Sequence, residues 1–379
     1  MSENARVQLR ASKHAVRVAA EPAAWNDWAW QLRHAMHTGE ALGQVLKLSA
    51  EEDAGCKHAE AGGFALGITP YYASLMHAED TQCPVRIQAV PVAAEQTESA
   101  GDMRDPLGEE THEVAPHLVQ RYPDRVLLLV TDRCAVYCRF CTRSRMVGDG
   151  GGPVSLDKLA PAFAYLRAHP EIKDVILSGG DPLAMGTERL VSIVAALRSI
   201  ESVETIRLAT RVPVTLPMRI TDELVAALQP FHPLWVMTHF NHAKELSPEA
   251  RAACEKLANA GFPVMNQTVL LRGVNDSARA LEELFRGLLR VRVRPYYLLQ
   301  MDPVRGTGHL RTALRRGMEL MSELQGRMSG IALPKFICDS PGGKGKVHLA
   351  HNSIVHVDGA ATTLRTFRGD YVDYIDVVD

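Results

Sequence analysis

From Val126 onward the chain alternates apolar runs with segments of helical patterning. The apolar runs fall at 126–131, 174–178, 203–209, 234–240, 263–271 and 292–300. Helical segments lie between them at 155–168, 186–199, 221–229, 247–260 and 277–290, and a further one follows at 311–327. Short apolar runs of this kind read as buried strands. A strand–helix repeat of this length predicts parallel strands with crossover helices, because a parallel pair cannot be closed by a tight turn. A partial (β/α)6 barrel and an open doubly wound sheet both satisfy the pattern. In either, chemistry belongs at the C-terminal ends of the strands.

Upstream the pattern differs. Trp25, Trp28 and Trp30 crowd together and are followed by helical patterning through Leu32, Leu42, Val45, Leu46 and Leu48. Three tryptophans so close predict anchors of a helical lobe on a larger body. Ile68 to Tyr72 and Cys83 to Arg86 continue that lobe. The stretch from Glu95 to Glu113 is acidic and contains Gly101, Pro106 and Gly108, which predicts an exposed connector. The expected division is a helical lobe and connector at 1–115, a barrel at 116–330 and a C-terminal segment at 331–379.

Composition narrows the function classes. With 379 residues there is enough chain for a barrel-sized core with appendages. A net charge of −2 gives no electrostatic reason for a nucleic-acid partner. No apolar stretch approaches the ~20 residues that span a bilayer. Met1 to Ala20 lacks an apolar core, so no secretory leader is expected, although its scarcity of acids leaves an organellar transit peptide open. The seven cysteines are clustered rather than evenly spaced, which fits a reducing compartment and a cytoplasmic protein.

Candidate chemistry begins where the first strand ends. Cys134, Cys138 and Cys141 stand at C-x3-C-x2-C spacing. Thiolates are the ligands of iron–sulfur clusters, and a four-iron cluster normally takes four; three leave one iron open to a small molecule. Zinc would want a second ligand pair, and none lies nearby. Single cysteines are often small buried hydrophobes, but three in eight residues beside Arg139 and Arg143 weigh against that. After the second strand, Ser178-Gly179-Gly180-Asp181-Pro182 allows either close approach of a ligand to the backbone or a tight turn. His239, Gln267 and Asp302 sit where strands four, five and six meet a cavity; each also reads as a satisfied structural polar residue. Finally, Pro341-Gly342-Gly343-Lys344-Gly345-Lys346 lacks Walker A spacing. A lysine on a glycine arm suits imine chemistry and equally a solvated turn.

The cysteine loop after a first strand resembles that of radical S-adenosylmethionine (SAM) enzymes. Together with Arg121-Tyr122-Pro123-Asp124-Arg125 and the string from Cys134 to Arg145, the chain resembles the lysine 2,3-aminomutase family, from about Trp25 to Leu364-Arg365. That resemblance implies the partial barrel rather than the doubly wound sheet. It implies a [4Fe-4S] cluster on Cys134, Cys138 and Cys141, with SAM on the open iron. Ser178, Gly179, Gly180, Asp181, His239 and Gln267 take the SAM-binding positions. Pyridoxal 5′-phosphate (PLP) is implied on Lys346, with Arg121, Tyr122 and Arg125 at its phosphate. Arg143 takes the position that clamps the substrate carboxylate, and Asp302 and Asp339 the positions that grip an ε-ammonium.

The activity so implied moves the α-amino group of a cationic L-amino acid to the β-carbon, with L-lysine expected. Arginine is the alternative, followed by a protein-lysine-modifying relative or a non-catalytic iron–sulfur protein. An electron donor such as flavodoxin or ferredoxin and a homo-oligomer are implied as well. The chain departs from the family at Lys344, where glycine is usual, and at Leu299, Phe140 and Met146 around the pocket. Ser277 stands where some relatives carry a zinc-binding cysteine, so no intersubunit zinc is expected.

Overall fold

A computed structural model describes residues 21–148 and 150–377; Met1 to Ala20, the stretch bearing on a leader or transit peptide, lies outside the described residues. Its main sheet runs in strict chain order: β1 (Glu113–Ala115), β2 (Leu118–Tyr122), β3 (Arg125–Thr131), β4 (Asp174–Gly179), β5 (Thr205–Ala209), β6 (Leu234–Thr238), β7 (Val264–Leu270), β8 (Arg294–Gln300), β9 (Lys335–Asp339) and β10 (Lys346–His348). Neighbours from β3 through β9 are parallel. The pairs β1–β2, β2–β3 and β9–β10 are antiparallel. A doubly wound sheet reverses its strand order at a switch point. No reversal occurs among the described strands, and β1 does not pair with β10, so the sheet is a partial barrel.

The alternation of side chains explains why both faces of these strands are apolar. Val126, Leu128, Val175, Leu177, Ile206 and Leu208 point outward and join one core with Leu159, Leu166, Leu190 and Leu197 of the crossover helices. The residues between them, such as Leu127, Ile176, Arg207 and Ala209, line an inner cavity. A strand with period-2 alternation presents one set to each face. The hydroxyls of Ser155, Thr221, Ser247 and Ser277 cap crossover helices by accepting backbone N–H bonds at 3.0–3.3 Å. Ser277 is thus a helix cap, a sufficient reason for serine there.

The strands expected from the sequence are all present, with ends within two residues. The six expected βα units run from β3 to the helix after β8, and β9 follows them as a further parallel strand paired with β8. Its five residues, Lys-Phe-Ile-Cys-Asp, open on an exposed lysine and are too few to show a period. Beyond β10, β11 (Ile354–Asp358), β12 (Ala361–Arg365) and β13 (Tyr371–Ile375) form a separate antiparallel sheet.

The N-terminal lobe consists of short helices at Pro22–Asn26, Trp28–Arg33, Gly39–Gly43, Ala50–Glu60 and Pro70–Ser74. It is fastened to the barrel by polar contacts in dry surroundings. Tyr71 Oη meets Ser247 Oγ at 2.6 Å, and Tyr72 Oη donates to Glu245 at 2.8 Å. Trp25 is buried, and the Arg219 guanidinium lies 4.7 Å from the Trp28 ring centroid.

The acidic stretch from Glu95 to Glu113 is not the exposed connector its composition predicts. Glu95 accepts from Arg139 Nε at 2.8 Å, Glu109 from Arg143 Nη2 at 2.7 Å, and Asp102 from Arg311 at 2.5 Å. Glu95, Asp102 and Glu109 turn inward because each meets an arginine of the barrel, while Glu98, Glu110 and Glu113 stay exposed. Such partners, distant in sequence, leave no trace in local composition. Among the described residues no helix is long and apolar enough to cross a membrane.

Arg86 shows what holds the lobe itself. It is fully buried, pairs with Glu52 through Nε at 2.6 Å and Nη2 at 2.7 Å, and donates to the carbonyls of Lys47, His77 and Ala78. Removing one partner of a buried pair strands the other charge. Arg86→Ala is therefore expected to lower unfolding stability by roughly 3–5 kcal/mol, read by denaturant titration. A loss below about 1 kcal/mol would place the pair in the range of surface ion pairs instead.

Candidate active site

The cavity inside the partial barrel has a volume of about 550 Å³. Every candidate site residue named from the sequence lines it: Cys134, Cys138, Cys141, Arg121, Tyr122, Arg125, Ser178, Gly179, Gly180, Asp181, His239, Gln267, Arg143, Asp302, Asp339 and Lys346. They come from the ends of β3, β4, β6, β8 and β9, from within β7 and from the two antiparallel hairpins at the sheet's edges.

The cysteine loop leaves β3 and is held by the exit of β4. Gly180 N donates to the Thr131 carbonyl at 2.6 Å, and Asp181 N to the Arg133 carbonyl at 2.7 Å. A Cβ at Gly179 would lie 2.3 Å from the Thr131 oxygen, and one at Gly180 the same distance from the Arg133 oxygen. Gly179 also has φ +114°. These glycines let one backbone lie against the other. The Asp181 carboxylate accepts from Thr210 Oγ1 at 2.7 Å and Arg211 N at 2.6 Å, which fixes the start of the segment after β5.

All three thiols are free. Burial, and then the nearby Asp181 and the other thiols, push Cys134 well above its ordinary range; burial and Cys138 push Cys141 up to about 11. Such thiols stay neutral until a metal takes their protons. Among the described residues no three His, Cys, Asp or Glu side chains converge as one metal ion requires. A cluster binds each thiolate through a different iron, so its ligands need no common point. The donor set fits a cluster and does not fit a single zinc.

Arg211, which the sequence reading missed, sits beside this loop. Its Nη1 lies 2.7 Å from Cys138 Sγ, while Nη2 meets Gln88 at 2.6 Å and Glu245 at 2.7 Å. Next to it, burial and the Arg211 charge push His239 down to about 3, so the ring is neutral. His239 Nε2 is buried without a hydrogen-bond partner in the chain. A neutral imidazole with one open nitrogen in the cavity wall fits a polar ligand such as SAM. Phe140 packs on His239 with ring centroids 5.3 Å apart.

The opposite wall carries the lysine. β10 pairs with β9 so that Lys346 stands directly across from Asp339. Lys346 Nζ is ion-paired with Asp339 Oδ2, and Arg121 Nη2 holds Oδ1 at 2.7 Å. Burial works to raise Asp339, but Lys346 and Arg121 hold it below the ordinary carboxylate range. Tyr122 Oη accepts from Lys346 N at 2.9 Å, and the Arg125 guanidinium lies 3.8 Å from the Tyr122 ring centroid. Two arginines and a phenol around one lysine fit an anionic aldehyde such as PLP. Lys344 is exposed and does not line the cavity.

Asp302 lies nearby under opposite influence. Burial and the charge of Asp339 push its carboxyl up to about 7. Arg143 donates to Glu109 through Nε and Nη2 and to Ser178 Oγ through Nη1 at 3.0 Å. Glu109 was hidden in the acidic stretch. Two other residues gave a readable signal: Arg207, paired with Asp174 at 2.7 Å, and Tyr297, bonded to Tyr296 through their hydroxyls at 2.8 Å. A charged or phenolic side chain at an inward position of a buried strand marks a cavity wall.

The chain is similar in sequence to known proteins. Residues 128–285 match the family model described as Radical SAM superfamily, and residues 321–377 match Lysine-2,3-aminomutase. L-lysine 2,3-aminomutase of Clostridium subterminale is 44% identical over 94% of this chain and 85% of that protein. The same-named protein of Bacillus subtilis is 45% identical over 92% and 74%. A glutamate 2,3-aminomutase of Clostridioides difficile is 39% identical over 92% and 82%. Among solved structures, a radical SAM methyltransferase from Sphaerobacter thermophilus aligns with TM-score 0.45 and 23% identity, over 60% of this chain and 72% of that one.

The raised Asp302 carboxyl is neutral below about pH 7 and charged above it. Affinity of the cavity for a small organic cation such as 1,5-diaminopentane is therefore expected to rise between about pH 6 and about pH 8. Asp302→Asn should flatten that rise in calorimetric titrations; an unchanged slope would put the titrating group elsewhere. The fold responds with the opposite sign. Because the folded state holds this proton more tightly than the unfolded chain, stability falls as pH climbs from the ordinary carboxylate range through about 7.

Proposed function

The chain belongs to the lysine 2,3-aminomutase family of radical SAM enzymes, and from that premise we propose that it is an isomerase converting L-lysine to β-lysine. The observation that carries the substrate is the pair of carboxylates, Asp302 and Asp339, on the wall that also holds Lys346. Two acids facing one subsite suit a side chain ending in a cation. Glutamate would place a third negative charge beside them.

The reaction uses a [4Fe-4S] cluster, SAM and PLP. When bound, the cluster and SAM supply a carbon-centred radical, and PLP supplies the π-system through which the nitrogen can migrate. This chain's residues hold and orient. Cys134, Cys138 and Cys141 take three irons. Ser178, Gly179, Gly180, Asp181, His239 and Gln267 receive SAM. Lys346 anchors PLP, whose phosphate meets Arg121, Tyr122 and Arg125. Arg143 holds the substrate carboxylate, while Asp302 and Asp339 hold the ε-ammonium, so both ends of the substrate are fixed and the α- and β-carbons lie between the two cofactors.

The chain divides by task in this reading. The described residues within 1–115 brace and cover the barrel, those within 116–330 carry the cluster and SAM, and those within 331–379 bring the lysine. A homo-oligomer is supported by β11–β13, where Val357, Tyr371, Tyr374 and Ile375 are each more than half exposed. A donor such as flavodoxin or ferredoxin supplies the electron. Seven free cysteines support a cytoplasmic setting.

Anaerobic turnover with iron, PLP, SAM and dithionite tests the reading, with lysine, arginine and glutamate offered together and β-amino acids resolved by mass spectrometry. β-Lysine is expected. β-Arginine would overturn the substrate, and the absence of any β-amino acid the reaction. Asp302→Ala should lower kcat/KM for lysine roughly 10- to 150-fold, the loss of a charged hydrogen bond, without changing iron content. Borohydride trapping of the PLP-loaded protein should place the pyridoxyl group on Lys346. A label on Lys344 would show that the other lysine is the anchor.

A further inference from the structure

Among the described residues, the one buried acid facing the cavity without a role in this reaction is Glu109, whose side chain is 4% exposed. Its Oε1 accepts from Arg143 Nε at 3.0 Å and Nη2 at 2.7 Å, and its Oε2 from Nε at 3.0 Å and from Arg145 at 3.3 Å. That grip occupies one side edge of a planar group with five N–H donors in fixed directions. Arg143 Nη1 gives one hydrogen to Ser178 Oγ at 3.0 Å. One hydrogen on each of Nη1 and Nη2 is left uncommitted, and these two nitrogens bound the end edge of the fork. Arg143 lines the cavity, so the end edge is what an arriving carboxylate can meet.

The segment bearing Glu109 is itself pinned. The Pro106 carbonyl accepts from Gly342 N at 2.9 Å. A Cβ at Gly343 would lie 2.5 Å from the Leu107 carbonyl oxygen. Residues 106–109 therefore touch the glycine arm that carries Lys346 and grip Arg143 at the same time. We propose that Glu109 is a positioning residue for the substrate: by holding the side edge of Arg143 it presents the end edge to the α-carboxylate, at a distance from Lys346 set by the same short segment. The proposal rests on reading Arg143 as the carboxylate-binding arginine.

Glutamine at this position keeps the size but sets an N–H2 against guanidinium donors, so the fork is released. The test is calorimetric binding of L-lysine and of L-lysinamide, which lacks the carboxylate, to PLP-loaded enzyme without SAM. Wild type should prefer lysine. Glu109→Gln should cut that preference about tenfold or more, the scale of a lost charged hydrogen bond, and leave lysinamide affinity, PLP content and iron content as they were. Equal weakening of both ligands would reduce Glu109 to a structural role and overturn the proposal. Tighter lysine binding would overturn it too, since Glu109 would then be a competitor for Arg143. If Glu109→Gln does not fold, Glu109→Asp carries the test, because its shorter carboxylate cannot reach the side edge. Arg143→Ala separates the two readings. Preference that survives in it removes the carboxylate from Arg143; preference lost there but kept in Glu109→Gln overturns the positioning role alone.

Discussion

A guanidinium taken out of water has to bring an anion with it, and the mouth of this barrel is built on that requirement. Arg211 is satisfied by Glu245, Arg143 by Glu109, Arg139 by Glu95 and Arg121 by Asp339. Each pair joins segments far apart in the chain, so the pairs also decide how the parts are assembled. The residue between Glu95 and Glu113 that would drift in water is drawn down onto the cysteine loop. The N-terminal lobe is drawn onto the barrel through Tyr72 and Gln88, which meet Arg211. Fixed charges in a dry wall also suit radical chemistry, where a mobile side chain with an abstractable C–H or S–H bond beside a reactive carbon would be an alternative hydrogen source.

What could be read from the sequence follows the range of the forces involved. The six strands at 126–131 through 292–300 were legible because burial on both faces writes an apolar run. The three cysteines stood out because cluster chemistry demands close spacing along the chain, whereas Lys346 was singled out only by its likeness to a family motif. Glu109 and Arg211 were not. Their significance lies in partners 34 residues or more away in the chain, and local composition assigned the acids of Glu95–Glu113 to water. β9 was missed for another reason: its place is set by pairing with β8, and five residues leave too little pattern of their own.

The hairpin of β9 and β10 carries a further consequence. Register sets Lys346 opposite Asp339, so the amine proposed to anchor PLP and an acid proposed to meet the substrate neutralise each other in the protein alone. A lysine engaged covalently no longer carries that full charge to Asp339, and Asp339 keeps only Arg121 as a cationic partner. An ammonium arriving from the cavity then replaces the charge that was lost. Asp302 responds to the same arrival. Its carboxyl is pushed up to about 7 because burial and Asp339 oppose a second negative charge; a cation placed between the two removes that opposition and favours ionisation. A neutral side chain offers no such compensation and would meet a protonated Asp302. Selection for charge at the far end of the substrate thus comes from the subsite's own reluctance to ionise, and not only from the attraction of two carboxylates.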